Sequence, residues 1–139
     1  MPRERLEYIV HSGLITNIII YRDALKPIAY VLEIGDTAQS NSFGHYWFSF
    51  YDLSYAKQSL GLWLILDALR SAKKDGREYY YLGTVYGEKA LYKTNFEPLE
   101  WWDGEQWNTD IKLLKERGRT DFERALSTPD AWKKGKTLF

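Results

Sequence analysis

Leu60-Gly61-Leu62-Trp63-Leu64-Ile65-Leu66-Asp67-Ala68-Leu69-Arg70-Ser71-Ala72-Lys73-Lys74 reads as a helix. Leu62, Ile65, Leu66, Leu69 and Ala72 form one apolar stripe, and Asp67, Arg70, Ser71, Lys73 and Lys74 lie mostly away from it. Asp75-Gly76 supplies the stop, because glycine takes the left-handed cap without penalty. Before this helix, His45-Tyr46-Trp47-Phe48-Ser49-Phe50-Tyr51 carries large rings on both faces, as in a strand buried on two sides. Asp52 falls at its end. After the helix, Tyr79-Tyr80-Tyr81-Leu82-Gly83 reads as a second strand that stops at glycine. Strand, helix and strand from His45 to Gly83 make a βαβ unit, so the two strands are expected to be parallel.

Working outward, Leu6 to His11 is a short apolar run expected to be a strand, and Leu14 to Tyr21 holds the β-branched Ile18-Ile19-Ile20 of another. Arg22-Asp23 is the expected turn into an antiparallel partner, Ile28 to Ile34. Gly35 to Gly44 has the composition of a loop. Beyond the βαβ unit, Gly87 to Asn95 reads as a short helix. Leu99 to Trp102 and Gln106-Trp107 flank Asp103-Gly104 as a hairpin with aromatic walls. Ile111 to Arg117 is expected to be a short helix, and Thr120-Asp121-Phe122-Glu123 a capping box that opens another. The residues from about Lys133 are expected to be loose.

A chain of 139 residues is expected to be one domain, 1–139, with room for one core. Six Trp and eleven Tyr either fill that core or line a cleft. The formal net charge is zero, so no global field draws the chain to nucleic acid. From Asp110 to the end, however, eight Lys or Arg stand against five Asp or Glu, and Arg70, Lys73, Lys74 and Arg77 form a second basic cluster. Either set meets phosphate or merely solvates a helix face. There is no cysteine, which excludes disulfides, thiolate metal sites and a cysteine nucleophile, and fits a cytoplasmic setting. Met1-Pro2-Arg3-Glu4-Arg5 lacks the apolar run of a signal peptide. The apolar stretches are far shorter than the roughly 20 residues that a spanning helix needs. No His/Asp pairing accompanies Ser59, so a nucleophilic triad is not expected, and neither His45 nor His11 is placed for catalysis.

Two motifs carry chemistry. Gln58-Ser59-Leu60-Gly61 opens the long helix, whose N-terminal amides suit a phosphate or a developing oxyanion. Lys89-Ala90-Leu91-Tyr92-Lys93-Thr94-Asn95-Phe96-Glu97-Pro98 places a tyrosine four residues before a phenylalanine, a lysine after that tyrosine and a proline two beyond the phenylalanine. Together with Tyr81-Leu82-Gly83, these resemble the C-terminal domain of the arginyl- and leucyl-tRNA–protein transferases, within the GNAT-like acyltransferase superfamily. The resemblance covers about residues 45–107. Thr84 and Ala90 depart from the family's usual tyrosine and methionine. Gln58 and Gly61 also half-fit a coenzyme A loop, but Trp63 stands where a small residue is expected. Leu91 occupies the slot of the acetyltransferase tyrosine, five before the phenylalanine. One position of slip on a helix turns a side chain by about 100°.

The resemblance implies an α/β (α+β) fold of the GNAT-like acyltransferase type. That fold has a mixed central sheet, two parallel strands that splay apart, flanking helices and, here, a basic helical extension over 110–139. It implies aminoacyl transfer from the acceptor end of an aminoacyl-tRNA to the N-terminal α-amine of a protein or peptide, with no metal and no further cofactor. Gln58, Ser59, Gly61 and Gly83 fall at the donor end, and Tyr51 and Asp52 where the amine is received, Asp52 as base. Tyr81 and Tyr92 line the pocket or relay a proton. Lys89 and Lys93 meet tRNA phosphates as point charges. The alternatives are an N-acetyltransferase that uses acetyl-CoA, and a non-catalytic module that binds RNA or a protein terminus. Donor amino acid, acceptor and oligomeric state are not legible.

Overall fold

A computed structural model describes residues 3–36, 42–85 and 87–127. They fall into two compact units that divide between Gly83 and Thr84. The fold is mixed α/β.

The first unit opens with a helix, α1 (Arg3–His11), where a strand is expected. Leu6, Ile9 and Val10 recur at helical spacing, only Ile9 is buried, and Arg3 pairs with Glu7 across one turn at 2.8 Å. That spacing outweighs the β-branched character of the short run.

Three antiparallel strands and one parallel strand follow, side by side in chain order: β1 (Asn17–Asp23), β2 (Lys26–Gly35), β3 (Phe43–Tyr51) and β4 (Tyr79–Tyr81). The β1–β2 turn sits two residues later than expected. Arg22 and Asp23 are still paired, and Ala24 takes the left-handed φ of 49°. The expected loop Gly35 to Gly44 is partly strand at both ends, and its middle lies outside the described residues. Ala29 and Val31 of β2 are fully buried on one face and Leu32 on the other, as befits an inner strand. β3 is half-buried along most of its length rather than sealed on both sides.

Helix α2 (Leu60–Lys74) has the expected bounds and packs on β3. Its buried stripe is Leu60, Leu64, Ile65, Ala68 and Ala72, while Leu62 and Leu66 face outward. Leucines surround this helix, so periodicity alone could not choose the inner face. The helix stops as its sequence requires. Gly76 has φ 74°, the Gly76 amide donates to Lys73 O, and the Arg77 amide to Ala72 O at 3.0 Å, a Schellman cap.

That cap turns Arg77 inward, where a charged cluster sits in the sheet. Tyr80 donates its hydroxyl to the buried Glu33 carboxylate, and Arg77 Nη2 lies 3.8 Å from the other Glu33 oxygen. Arg77 Nη1 reaches Phe43 O at 3.5 Å. Burial, and then the carboxylate, push the Tyr80 phenol well above its ordinary range. A β-carbon at Gly44 would lie 2.1 Å from Arg77 Nη1, so only glycine fits there. As expected, β4 pairs with β3 in parallel, from Phe43↔Tyr79 to His45↔Tyr81, and the pairing ends there.

The second unit holds a 3₁₀ helix over Glu88–Asn95, then the expected hairpin of β5 (Trp101–Trp102) and β6 (Trp107–Asn108), then α3 (Ile111–Ser127). Asp103 Oδ1 accepts the amides of Glu105 and Gln106 at 2.9 Å to form the hairpin tip. Trp101 Nε1 donates to Asp110 O, and Arg117 stacks on Trp101 while its Nη1 donates to Asp103 O. Asp110 caps α3 by accepting the amides of Lys112 and Leu113. One continuous helix replaces the two expected. Thr120 does not open a capping box; its hydroxyl donates back to Glu116 O, one turn earlier. Gly118 lies inside α3, where a β-carbon would meet Leu91 Cδ2 at 3.5 Å and Val85 Cγ1 at 3.7 Å. The tail from Lys133 lies outside the described residues.

Candidate functional site

The most constructed feature of the first unit is the turn from β3 into α2. Asp52 follows the last residue of β3, and its amide donates to Ile28 O at 2.8 Å. Its carboxylate accepts the Ser54 amide at 3.0 Å, the Ser54 hydroxyl at 2.7 Å and the Lys26 ammonium at 2.8 Å. The Lys26 and Ser54 hydrogen bonds hold the Asp52 carboxyl well below the usual carboxylate range, and Asp52 in turn raises Lys26. A carboxylate held this way is a weak proton acceptor. The geometry makes Asp52 the cap of the 3₁₀ helix Leu53–Gln58. Tyr55 adds a second tie, donating its hydroxyl to Asp23 at 2.7 Å.

The 3₁₀ helix ends at Ser59, which has φ 56° and ψ 33°. This left-handed conformation is costly for a residue with a β-carbon. Its carbonyl accepts the amides of Leu62 and Trp63 at 3.0 and 3.1 Å, so it starts α2, yet its side chain makes no capping hydrogen bond. Ser59 is therefore not an ordinary serine cap. Gln58 and Ser59 are both exposed. Two positions on, the ring of Tyr51 lies against Gly61: a β-carbon there would meet Tyr51 Cε1 and Oη at 3.3 Å. Tyr51, Gln58, Ser59 and Gly61 thus come together around the first amides of α2, which lack intrahelical acceptors and carry the positive end of the helix dipole. Trp63 does not crowd this end. Its ring meets Tyr21 of β1 edge-on at 5.4 Å, two strands away from β3. The Tyr21 hydroxyl donates to Asp67 at 2.9 Å, and burial and that carboxylate push its phenol above the ordinary range.

Tyr81 is not brought to this turn. Its register partner is His45, six positions before Tyr51, about 20 Å away at ~3.3 Å per strand residue. Its ring lies edge-on to Phe43 and His45 instead. Gly83 has the φ of 74° that ends the β4 segment. In the second unit Lys89 and Tyr92 are exposed. Lys93 is half-buried and donates to Thr84 O at 3.0 Å, and burial lowers its pKa. That hydrogen bond braces its own chain. Leu91 packs toward Gly118 of α3.

Sequence reasoning missed Lys26, Asp23 and Tyr55, which meet only through the fold. It also missed Glu33, although a lone carboxylate inside the apolar run Tyr30-Val31-Leu32-Glu33-Ile34 was a readable signal. No helix among the described residues is long and apolar enough to cross a membrane.

A family model described as the C terminus of arginine-tRNA-protein transferase matches residues 6–103. The aspartate/glutamate leucyltransferase of Nitrosococcus oceani is 30% identical over 117 residues, which cover 83% of this chain and 46% of that protein. The protein of the same name from Chromohalobacter salexigens is 38% identical over 72 residues, 49% of this chain and 29% of its own. That of Hyphomonas neptunium is 36% identical over 89 residues, 63% and 35% respectively. The matched region thus spans between 29% and 46% of the length of these relatives. No solved structure matches the chain.

Proposed function

The chain belongs to the family of arginine-tRNA-protein transferase C-terminal domains, and from that premise we propose that it transfers an amino acid from aminoacyl-tRNA to the N-terminal α-amine of a protein or peptide. Leucine is the proposed donor residue and an N-terminal aspartate or glutamate the proposed acceptor, after the names of the relatives. The observation that carries this reading is the turn Gln58–Gly61, with exposed Gln58, a left-handed, exposed Ser59 and the Tyr51 ring packed where a β-carbon on Gly61 would lie.

In the proposed step the amine nitrogen attacks the ester carbonyl carbon. The new C–N bond forms, the bond to the ribose oxygen breaks, and one proton passes from the amine to that oxygen. An α-amino group with a pKa near 8 needs little help to lose its proton, so the chain's share is positioning and stabilisation of the oxyanion. The first amides of α2, at Leu60 and Gly61, receive the oxyanion, and the Tyr51 ring orients the ester. Lys89 and Tyr92 are proposed to meet the tRNA end. We read the fold as GNAT-like and the chain as one functional domain. The mixed sheet and the parallel β3–β4 pairing, which stops after three residue pairs, support that reading. Because Trp63 turns toward Tyr21, it is no obstacle at the donor end, and the acetyl-CoA reading keeps only the Leu91 departure against it.

The test is transfer of radiolabelled leucine from charged tRNA to peptides that begin with aspartate, glutamate or alanine. Label should enter the two acidic-start peptides, and Gln58→Ala or Gly61→Leu should abolish it. Acetylation from labelled acetyl-CoA with no incorporation from any charged tRNA would reject aminoacyl transfer and leave an acetyltransferase.

A further inference from the structure

We infer that Lys26 and Asp23, at the tip of the β1–β2 hairpin, are positioning residues that set the order of the donor turn. The inference rests on the functional reading above for its catalytic consequence, and on geometry alone for its structural one. The segment between β3 and Ser59 has no buried residue, so apolar packing does not hold it. A 3₁₀ helix this short has little intrinsic stability. It is held by three ties near its start: Lys26 Nζ to Asp52 at 2.8 Å, Tyr55 Oη to Asp23 at 2.7 Å, and the Asp52 amide to Ile28 O at 2.8 Å. Two of the three depend on side chains of the hairpin tip.

The tip itself is not fixed by burial. Leu25 is 92% exposed, and Ala24 adopts φ 49° to make the two-residue turn. Lys26 and Asp23 flank that turn as register partners, so both ties leave from one rigid rung of the sheet. They reach residues at both ends of the first turn of the 3₁₀ helix, Asp52 and Tyr55, and so fix its direction as well as its start. Ser59, four residues beyond Tyr55, inherits that direction. Because it sits in a left-handed conformation, a small change in approach displaces the Leu60 and Gly61 amides behind it. Misplacement by about 1 Å costs on the order of a hundredfold in positioned reactions.

An exposed ion pair adds little to global stability. The ties therefore act on local order, and this separates a positioning role from a general structural one. The experiment measures amide hydrogen exchange on the full chain for wild type, Lys26→Met, Lys26→Arg and Asp23→Asn. Expected are several-fold faster exchange confined to Leu53–Trp63 in Lys26→Met and Asp23→Asn, an unchanged urea midpoint, and recovery in Lys26→Arg, whose guanidinium can still reach Asp52. In the leucyl-tRNA transfer assay, kcat should fall about tenfold in Lys26→Met with the peptide KM unchanged, again recovered by arginine. Raising salt should slow wild type toward Lys26→Met, since exposed charges are screened. Unaltered exchange in Lys26→Met overturns the inference, and so does faster exchange throughout the first unit with a lowered midpoint. If exchange changes as expected but wild type transfers no leucine, the positioning stands and the proposed reaction fails.

Discussion

Replacing Gly44 by alanine tests the account of the buried cluster that joins β3 to β4. The new β-carbon would lie 2.1 Å from Arg77 Nη1 and 2.8 Å from two ring carbons of Tyr80, whereas ordinary contact begins at 3.4 Å. The guanidinium must therefore retreat by over 1 Å. Its two contacts, 3.5 Å to Phe43 O and 3.8 Å to Glu33, are already long and would not survive that movement. Overpacking alone costs about 1–3 kcal/mol, and a buried ion pair broken on one side about 3–5 kcal/mol. Retreat of the arginine relieves the first at the expense of the second, so the net loss should be about 3 kcal/mol, a large part of the ~5–15 kcal/mol typical of a domain. Gly35→Ala meets the same Nη1 and the Phe43 carbonyl oxygen, each at 3.0 Å, contacts that need only a small adjustment, and should cost about 1 kcal/mol. Urea unfolding followed by tryptophan fluorescence gives both numbers. A loss below about 1 kcal/mol for Gly44→Ala, or a larger loss for Gly35→Ala, would refute the reasoning, because the order of the two follows from the distances.

Leu64 is fully buried under α2, and Leu64→Ala should cost about 2–5 kcal/mol in the same unfolding assay. The raised Tyr80 phenol contributes stability that is complete below about pH 10 and is lost as pH rises through its folded value. Tyr80→Phe should therefore flatten the alkaline fall in melting temperature while lowering stability at neutral pH by about 1–3 kcal/mol, since Glu33 loses its hydroxyl donor. Asp52→Asn should reduce transfer by less than about tenfold, against the 10²–10⁴ expected of a general base.

The elements with long or redundant signals were legible in the sequence. Helix α2 keeps a helical apolar period over fifteen residues and has a glycine stop, and both ends match. The parallel pairing of β3 and β4 followed from the βαβ order, and the Trp-walled hairpin from Asp103-Gly104. Short segments were not legible, because two periods fit them equally: Leu6–His11 holds six residues, enough for a strand yet also for Leu6, Ile9 and Val10 on one helical face. The single helix α3 was hidden by Gly118, which reads as a breaker and is tolerated where Leu91 and Val85 come close. At the candidate site, the sequence grouped Gln58, Ser59, Gly61 and Tyr51 because they adjoin one helix start, and the structure brings them together there. The pairing of Asp52 with Lys26 was not legible, since Lys26 stands twenty-six residues earlier and nothing local announces it. Tyr81 was misplaced because adjacency in motif order says nothing of register along a strand.

The strand order β1-β2-β3-β4 is also the order of synthesis. β2 and β3 each find their neighbour already made, so the antiparallel part of the sheet closes through short connections, which is entropically cheap and fast. Only β4 must wait for a whole helix to be laid down and carried back across the sheet. This order predicts that the slow step of refolding is the last rung, where Gly44 and Tyr80 pair and Arg77 is buried against Glu33. Substitutions there should slow refolding, and substitutions at the hairpin tip should leave the refolding rate alone.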